Sequence, residues 1–224
     1  MFAEVNGVRI HYEVVGEGRP LILLHGNGED MSIFDVAVEE LKDFFKVVTV
    51  DSRGHGSSQA PDEYHYADMA EDVHGLIAML GLVKPVLFGY SDGGIIGLIL
   101  ASEHPDDLLR LAVGGANTRP SAIDWSGFEV DPDDPVQRLM LEEPDITEAD
   151  LRAIRVPTLV IAGEFDAVKR SDTEFIARSI PYGHMYIVPD ADHGSYVDHS
   201  VILPRLLKDW LIRCYFHLEA FLAF

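Results

Sequence analysis

The sequence predicts an α/β fold in which a mostly parallel sheet carries helices on both of its faces. Short apolar runs rich in β-branched residues recur along the chain, and their unbroken apolar character is typical of strands buried on both faces. Segments with helical spacing lie between these runs, and such alternation favours a parallel sheet between two helical layers. With 224 residues, 47% hydrophobic and 25% charged, the chain is long and apolar enough for one large core.

The predicted elements begin with residues 8–14, which alternate between apolar and polar and end at a glycine-rich turn. This pattern indicates an early strand. Buried strands are then predicted at Leu21–Leu24, Val47–Val50, Val86–Phe88, Leu111–Val113, Thr158–Ala162 and Met185–Val188. Helices are predicted at about Ser32–Leu41, Tyr66–Leu80, Gly93–His104, Ser171–Ile180 and from Val201 onward.

One segment, residues 118–150, interrupts the alternation of strands and helices. It holds four of the twelve prolines, ten acidic residues and two arginines. Its place between two predicted strands indicates a short acidic lid inserted into a core made of residues 1–117 and 151–224. Short helices are predicted in it around residues 136–141 and 147–154.

The charge of the chain is strongly negative, with 38 Asp and Glu residues against 17 Lys and Arg residues and a net charge of −21. This balance argues against nucleic acid and against an anionic membrane surface as partners, because both require a basic surface. No apolar stretch approaches the roughly 18 residues that would indicate a membrane span. Over residues 118–150 the charge is −8, which predicts a bias toward neutral or cationic substrates if this segment covers the site.

Cysteine usage and the first residues both favour a cytoplasmic protein. Cys214 is the one cysteine, so the chain forms no internal disulfide. The start of the chain lacks the basic residues and apolar run of a signal peptide. Metal-ligand clusters and phosphate-binding glycine loops are also absent from the sequence, so we expect neither a metal nor a cofactor.

A candidate nucleophile lies at the end of a predicted strand. Residues 89–93, Gly-Tyr-Ser-Asp-Gly, follow the strand Val86–Phe88 and open the next helix, so Ser91 occupies a Gly-x-Ser-x-Gly turn. The glycines permit a sharp turn that exposes the serine, and the helix N-terminus favours negative charge developing beside it. The alternative is a glycine-rich turn that contains a serine by coincidence.

A serine nucleophile needs a base and a carboxylate that orients the base. His193 follows the last predicted strand in an Asp-Ala-Asp-His-Gly loop, where its side chain can return over the carboxyl edge of the sheet. Asp166 follows the strand Thr158–Ala162 at the same edge, and Asp192 is the competing carboxylate. Because adjacent side chains tend to point apart, Asp166 is the favoured partner of His193.

The order Ser91, Asp166, His193 resembles the serine, acid, histidine order of the α/β-hydrolase superfamily. Two other segments are similar to signatures of that family: His-Gly-Asn-Gly at residues 25–28 and Asp-Ser-Arg-Gly-His-Gly-Ser-Ser at residues 51–58. The resemblance extends from about Val8 to Trp210. It implies an α/β-hydrolase fold with a short lid.

The resemblance also implies a role for each of these segments. Residues 25–28 are similar to an oxyanion loop, so the backbone N–H groups of Asn27 and Asp92 are the expected donors to an oxyanion. Residues 51–58 are similar to a structural turn of the family. The reaction implied is hydrolysis of small carboxylic esters through an acyl-enzyme on Ser91. Alternatives are carbon–carbon bond hydrolysis, lactone opening or perhydrolysis on the same triad, and a non-enzymatic receptor for a small ligand.

Asp92 departs from the commonest esterase pattern, in which an apolar or amide side chain follows the nucleophile. The Gly-Tyr-Ser-Asp-Gly-Gly segment is similar to the biphenyl-hydrolase-like group, and this resemblance implies that the Asp92 carboxylate binds the α-ammonium group of amino-acid esters. The alternative is that Asp92 only stabilises the start of the helix, where acidic residues are favoured in any case.

Apolar residues of the insertion and of the C-terminal segment are the last candidates. Trp125, Phe128, Leu139 and Met140 are expected to face the substrate pocket, or else to pack the insertion onto the core. A helical pattern continues through Leu207, Leu211, Cys214, Leu218 and Phe221, which indicates either a helix packed on its own core or a homodimer surface.

Overall fold

A computed structural model describes residues 1–127 and 129–213, and it confirms the predicted fold class. The eight strands form one sheet in the order β1-β2-β4-β3-β5-β6-β7-β8, in which β3 to β8 run parallel and β1 and β2 pair antiparallel at one edge. The strands are β1 (Phe2–Val5), β2 (Val8–Val15), β3 (Arg19–Leu24), β4 (Phe45–Val50), β5 (Val86–Tyr90), β6 (Arg110–Gly114), β7 (Thr158–Phe165) and β8 (Gly183–Asp192).

Helices cover both faces of the sheet, as the alternating pattern predicts. Successive residues of β3 point to opposite faces, with Ile22 and Leu24 in one apolar cluster and Leu21 and Leu23 in the other. Helices α2, α3, α5 and α6 contribute to the first cluster, and α1 and α7 to the second. The helices are α1 (Asp35–Leu41), α2 (Tyr66–Met79), α3 (Asp92–Glu103), α4 (Pro135–Glu142), α5 (Glu148–Ala153), α6 (Arg170–Ser179) and α7 (Ile202–Lys208).

The first strand, β1, is an element that the apolar periodicity did not predict. It pairs with β2 through a tight turn in which Asn6 and Gly7 have φ angles of 45° and 78°. An Asn-Gly pair with two positive φ angles is the usual signature of a two-residue hairpin turn. The signal was therefore present in the sequence, at the turn and not in the short strand before it.

The insertion contains the two predicted helices, α4 and α5. Asp134 caps α4 by accepting from Val136 N at 2.9 Å, and Thr147 and Asp150 form a capping box at α5. The helices are anchored on the core by Leu139 and Leu151, which are fully buried.

The C-terminal helical pattern divides into a described and an undescribed part. Leu207 and Leu211 are buried in the cluster beside α1, so these two residues pack on the chain's own core. Cys214, Leu218 and Phe221, on which the homodimer hypothesis also depends, lie outside the described residues. Among the helices of residues 1–127 and 129–213, none has the length and apolar character needed to cross a bilayer.

The Asp-x-Arg-Gly turn at residues 51–58 is tied into the scaffold by a buried ion pair. Arg53 donates two hydrogen bonds to Asp72 of α2, with Nε 2.7 Å from Oδ2 and Nη2 2.6 Å from Oδ1. Both side chains are 5% exposed. The exposed Asp68 lies 3.4 Å from Nη1 of the same guanidinium.

We expect Asp72→Ala to lower the free energy of unfolding by about 3–5 kcal/mol, because it leaves a buried guanidinium without its counterion. Asp68→Ala removes the exposed partner of the same arginine and should cost no more than about 1 kcal/mol. Urea unfolding of the two variants measures the difference. Equal losses of unfolding free energy in the two variants would show that the buried Arg53–Asp72 pair stabilises the fold no more than the exposed Arg53–Asp68 pair does.

Candidate active site

Ser91 lies on a strained turn between β5 and α3. Its φ and ψ angles of 51° and −115° place a non-glycine residue in a costly region of backbone space, as happens at functional sites. Glycine is required on either side, because a Cβ atom at Gly89 would overlap the Gly93 carbonyl and one at Gly93 would overlap the Leu24 carbonyl. The turn therefore holds Ser91 at the carboxyl edge of the sheet.

The predicted triad residues meet at this edge. His193 Nε2 lies 3.1 Å from Ser91 Oγ, and His193 Nδ1 lies 2.7 Å from Asp166 Oδ1. Both distances allow hydrogen bonds. The three side chains come from the ends of β5, β7 and β8, although Ser91 and His193 are 102 positions apart in the chain.

The orientation of Asp166 is fixed by the loop that carries it. Its Oδ2 accepts from Gly163 N at 2.9 Å, and its Oδ1 accepts from Val168 N at 3.0 Å. Asp192, the competing carboxylate, accepts from the backbone N–H groups of Gly194 and Ser195 instead. These bonds, above all that from Ser195, lower the pKa of Asp192. The geometry therefore brings Asp166, and not Asp192, to the imidazole.

The loop after β3 lies against the turn of Ser91. Gly93 N donates to His25 O at 3.1 Å, and the buried His25 ring accepts from Ser52 N through Nε2 at 3.1 Å. Burial, with a smaller contribution from His55, lowers the pKa of His25 to about 4, so this ring is neutral at pH 7. Among the described residues, neither Asn27 N nor Asp92 N donates to a backbone acceptor.

The Asp92 carboxylate, on the residue that follows the nucleophile, lies in a nearly dry environment. The residue is 5% exposed, and its Oδ2 accepts from Asn27 Nδ2 at 2.8 Å. Burial raises the pKa of Asp92, and the hydrogen bond from Asn27 opposes part of the rise.

Glu29 is a second carboxylate beside Ser91, and the sequence reasoning missed it. Its Oε2 accepts from Gly26 N at 2.9 Å. A Cβ atom at Gly26 would lie 2.8 Å from Glu29 Oε2 and 3.1 Å from Ser91 Cβ, so the carboxylate is close to the nucleophile. Burial raises the pKa of Glu29. Its place in the loop after β3, one residue beyond the expected oxyanion loop, was the available signal.

The four residues expected in the pocket have different surroundings. Leu139 is 3% exposed and packs in the core cluster with α2 and α3, which agrees with the packing alternative. Trp125 is half-buried and donates from Nε1 to Pro120 O at 3.1 Å. Met140 is half-buried on α4, and Phe128 lies outside the described residues.

A group of side chains that includes none of the candidate triad has the composition of a metal site. The ligand atoms of His74, His104 and Asp107 lie within 4.8 Å of one another. The two imidazole rings are stacked, with centroids 3.8 Å apart and planes 11° apart, so their ring nitrogens do not point toward a common centre. His74 pairs with Asp107 and His104 with Glu71, each at 2.6 Å, so both imidazoles are already satisfied by carboxylates.

Comparison with known proteins identifies the family of the chain. The sequence model of the alpha/beta hydrolase fold family matches residues 19–135, which is more than half of the chain. The chain belongs to the α/β-hydrolase family. The matched segment of this α/β-hydrolase includes Asn27, Ser91 and Asp92, whereas Asp166 and His193 lie beyond it.

Among curated proteins, this α/β-hydrolase is 29% identical to the serine hydrolase BPHL of Mus musculus over 245 residues, covering 92% of this chain and 84% of the relative. Among solved structures, it resembles a thermophilic esterase from Thermogutta terrifontis, with a TM-score of 0.79, 26% identity and coverage of 95% and 98% of the two chains. It also resembles the enol-lactonase from Burkholderia xenovorans LB400, with a TM-score of 0.78, 25% identity and coverage of 94% and 99%.

Proposed function

We propose that this α/β-hydrolase is a serine esterase that cleaves small carboxylic esters through an acyl-enzyme on Ser91. The observation that carries the proposal is the continuous hydrogen-bonded chain from Ser91 Oγ through His193 to Asp166, built on a strained turn. Such an arrangement of nucleophile, base and orienting carboxylate is the requirement for nucleophilic acyl transfer. The similarity to a serine hydrolase and to an esterase supports it.

The mechanism follows from the roles that the geometry allows. His193 donates from Nδ1 to Asp166, which leaves Nε2 free to accept the Ser91 proton as Oγ attacks the ester carbonyl. The N–H groups of Asn27 and Asp92 then donate to the oxyanion of the tetrahedral intermediate. His193 returns the proton to the leaving alcohol, and water activated by the same ring releases the acid.

A fluorophosphonate probe tests the proposal directly, because it phosphonylates only an activated serine. We expect stoichiometric labelling, with the modification located on the peptide that contains Ser91 by mass spectrometry, together with turnover of p-nitrophenyl acetate and butyrate. An unlabelled protein, or labelling at another serine, would contradict the proposal. Labelling without turnover of any ester would support the receptor alternative.

The charges beside Ser91 favour neutral or cationic substrates over anionic ones. Asp92 directly follows Ser91 and Glu29 folds back onto Gly26 close to it, and in their ionised form these two carboxyl groups repel a substrate carboxylate. An ammonium group on the acyl part of the substrate would pair with Asp92 in a site with little water, where charge-assisted hydrogen bonds are strong. We therefore include amino-acid esters among the proposed substrates.

Asp92→Asn should lower the ratio of kcat/KM for a valine ester to kcat/KM for the matching neutral ester by about tenfold, because a charged hydrogen bond to the ammonium is lost. Asparagine still has an oxygen that can accept from Asn27. Asp133→Asn, which removes one exposed charge of the insertion, should leave the ratio unchanged. Equal effects of the two substitutions would assign the preference to overall charge.

Lactone opening is the second candidate function. It requires the same attack of a serine on an ester carbonyl, and one similar solved structure is an enol-lactonase. Including γ- and δ-lactones in the ester panel distinguishes an esterase from a lactonase. A higher kcat/KM for a lactone than for its open-chain ester would favour lactone opening.

A further inference from the structure

The side-chain amide of Asn27 connects three segments of the chain. Its Nδ2 donates to Asp92 Oδ2 at 2.8 Å and to the backbone oxygen of Val136 at 2.9 Å. An amide nitrogen carries two hydrogens, so both bonds can form at once. One side chain thus joins the loop after β3, the first residue of α3 and the first turn of α4 in the insertion.

Two of the joined residues are those whose backbone N–H groups are proposed to bind the oxyanion. A hydrogen bond between the Asn27 and Asp92 side chains restrains the distance between their backbones, and an oxyanion hole works only when its donors are held at the position of the developing charge. Because Asp92 is 5% exposed, water offers little replacement when the bond is broken.

The third segment, α4, is held in place independently of Asn27. Leu139 anchors it in the core, and Glu143 directly after it accepts from Tyr66 N at 3.1 Å. Asp134 caps its first turn through Val136 N at 2.9 Å. The Val136 carbonyl is therefore a fixed acceptor, and the position of α4 acts on Asn27 through it.

We propose that Asn27 is a positioning residue that couples helix α4 of the insertion to the oxyanion hole. Its side chain sets the spacing of the Asn27 and Asp92 N–H groups, and α4 fixes the orientation of that side chain. The proposal rests on the proposed function, since it assigns a role to a hole that serves Ser91. It also gives the Asp92 carboxylate a task that does not depend on an ammonium group in the substrate.

Asn27→Leu keeps the backbone N–H and the approximate size of the side chain but removes both donors. We expect kcat for a p-nitrophenyl ester to fall about 10- to 100-fold while KM changes less than threefold, because a small displacement of a donor acts on the transition state. The affinity for a trifluoromethyl ketone, whose serine adduct carries the oxyanion, should fall by the same factor. If Asn27→Leu does not fold, Asn27→Ala replaces it. An unchanged kcat in a folded variant would overturn the proposal.

A double-mutant cycle tests the coupling to α4. Asp134→Ala removes the cap of α4 and should lower kcat about threefold in the wild-type background but not in the Asn27→Leu background, since the connection is already lost there. Thr147→Ala removes the cap of α5, whereas the Asn27 side chain donates to Asp92 and to Val136 of α4, so kcat should stay unchanged in both backgrounds. The coupling would be overturned if Asp134→Ala left kcat unchanged in the wild-type background, or if it lowered kcat equally in both backgrounds.

Failure of this inference can be distinguished from failure of the proposed function. If Ser91 is labelled and esters are cleaved, the kinetics of the variants decide the role of Asn27 alone. If Ser91 is unreactive, the proposed function fails. The double-mutant cycle is then measured by the Tm of thermal unfolding in place of kcat. The Asn27 and Asp134 substitutions should then be non-additive in their effect on Tm, and the Asn27 and Thr147 substitutions additive. Additive values for both pairs would overturn the coupling.

Discussion

Ser91→Ala should lower kcat for p-nitrophenyl ester hydrolysis by about 10⁶-fold, the loss seen when the nucleophile is removed from a serine protease triad. The remaining rate would come from the oxyanion hole and substrate binding, which do not need the hydroxyl. The substitution deletes one atom on a turn whose shape depends on Gly89 and Gly93, so the fold should persist. Steady-state kinetics, with thermal unfolding as a check of folding, measure the effect.

Ser102→Ala is the matched control for this experiment. Ser102 lies near the end of the same helix, α3, and its hydroxyl donates to Ile99 O at 2.9 Å. Its removal should leave kcat within twofold of the wild-type value. If Ser91→Ala retains more than about one hundredth of the wild-type kcat, Ser91 is not the nucleophile.

Asp166→Asn is expected to lower kcat by about 10⁴-fold. The Asp166 carboxylate accepts from His193 Nδ1, which keeps Nε2 unprotonated and ready to accept the Ser91 proton. An asparagine amide can donate to Nδ1 instead, which favours the tautomer in which Nε2 already carries a hydrogen. KM should change little, because the Asp166 side chain is 3% exposed and has little surface to offer a substrate.

Asp192→Asn is the control for Asp166→Asn. It makes the same change at the other carboxylate close to His193, on the residue that precedes it in the chain. The Asp192 carboxylate accepts from the backbone of the turn at residues 194–195, so its substitution should lower kcat less than tenfold. A larger loss in Asp192→Asn than in Asp166→Asn would assign the orienting role to Asp192 and contradict the observed geometry.

Much of the fold could be predicted because its signals are local. Buried parallel strands have unbroken apolar sequences, so β3 to β8 were each detected, although each was predicted about one to four residues short at one or both of its ends. The short strand β1 escaped detection because four residues carry little periodicity. The boundaries depend on hydrogen bonds to neighbouring strands, which a linear pattern does not contain.

The candidate site was predictable to different degrees for different residues. Ser91 was evident because its signal, a glycine-rich turn between strand and helix, lies within five consecutive residues. Asp166 required a choice against Asp192, and this choice depended on which carboxylate turns toward the ring. Glu29 was missed because nothing in its immediate sequence shows that its carboxylate folds back against Gly26 and lies close to Ser91.

By itself, the sequence determined the α/β class, the order of the candidate triad and the acidic character of the insertion, since each depends on periodicity, spacing or composition. Only the tertiary structure decided that Asp92 is buried and that the Asn27 side chain donates both to Asp92 and to Val136, which lies 109 positions after Asn27. The physical reason is that burial and hydrogen-bond partners are set by packing between distant segments. The residues next to a given residue in the chain do not show which distant segments will pack against it.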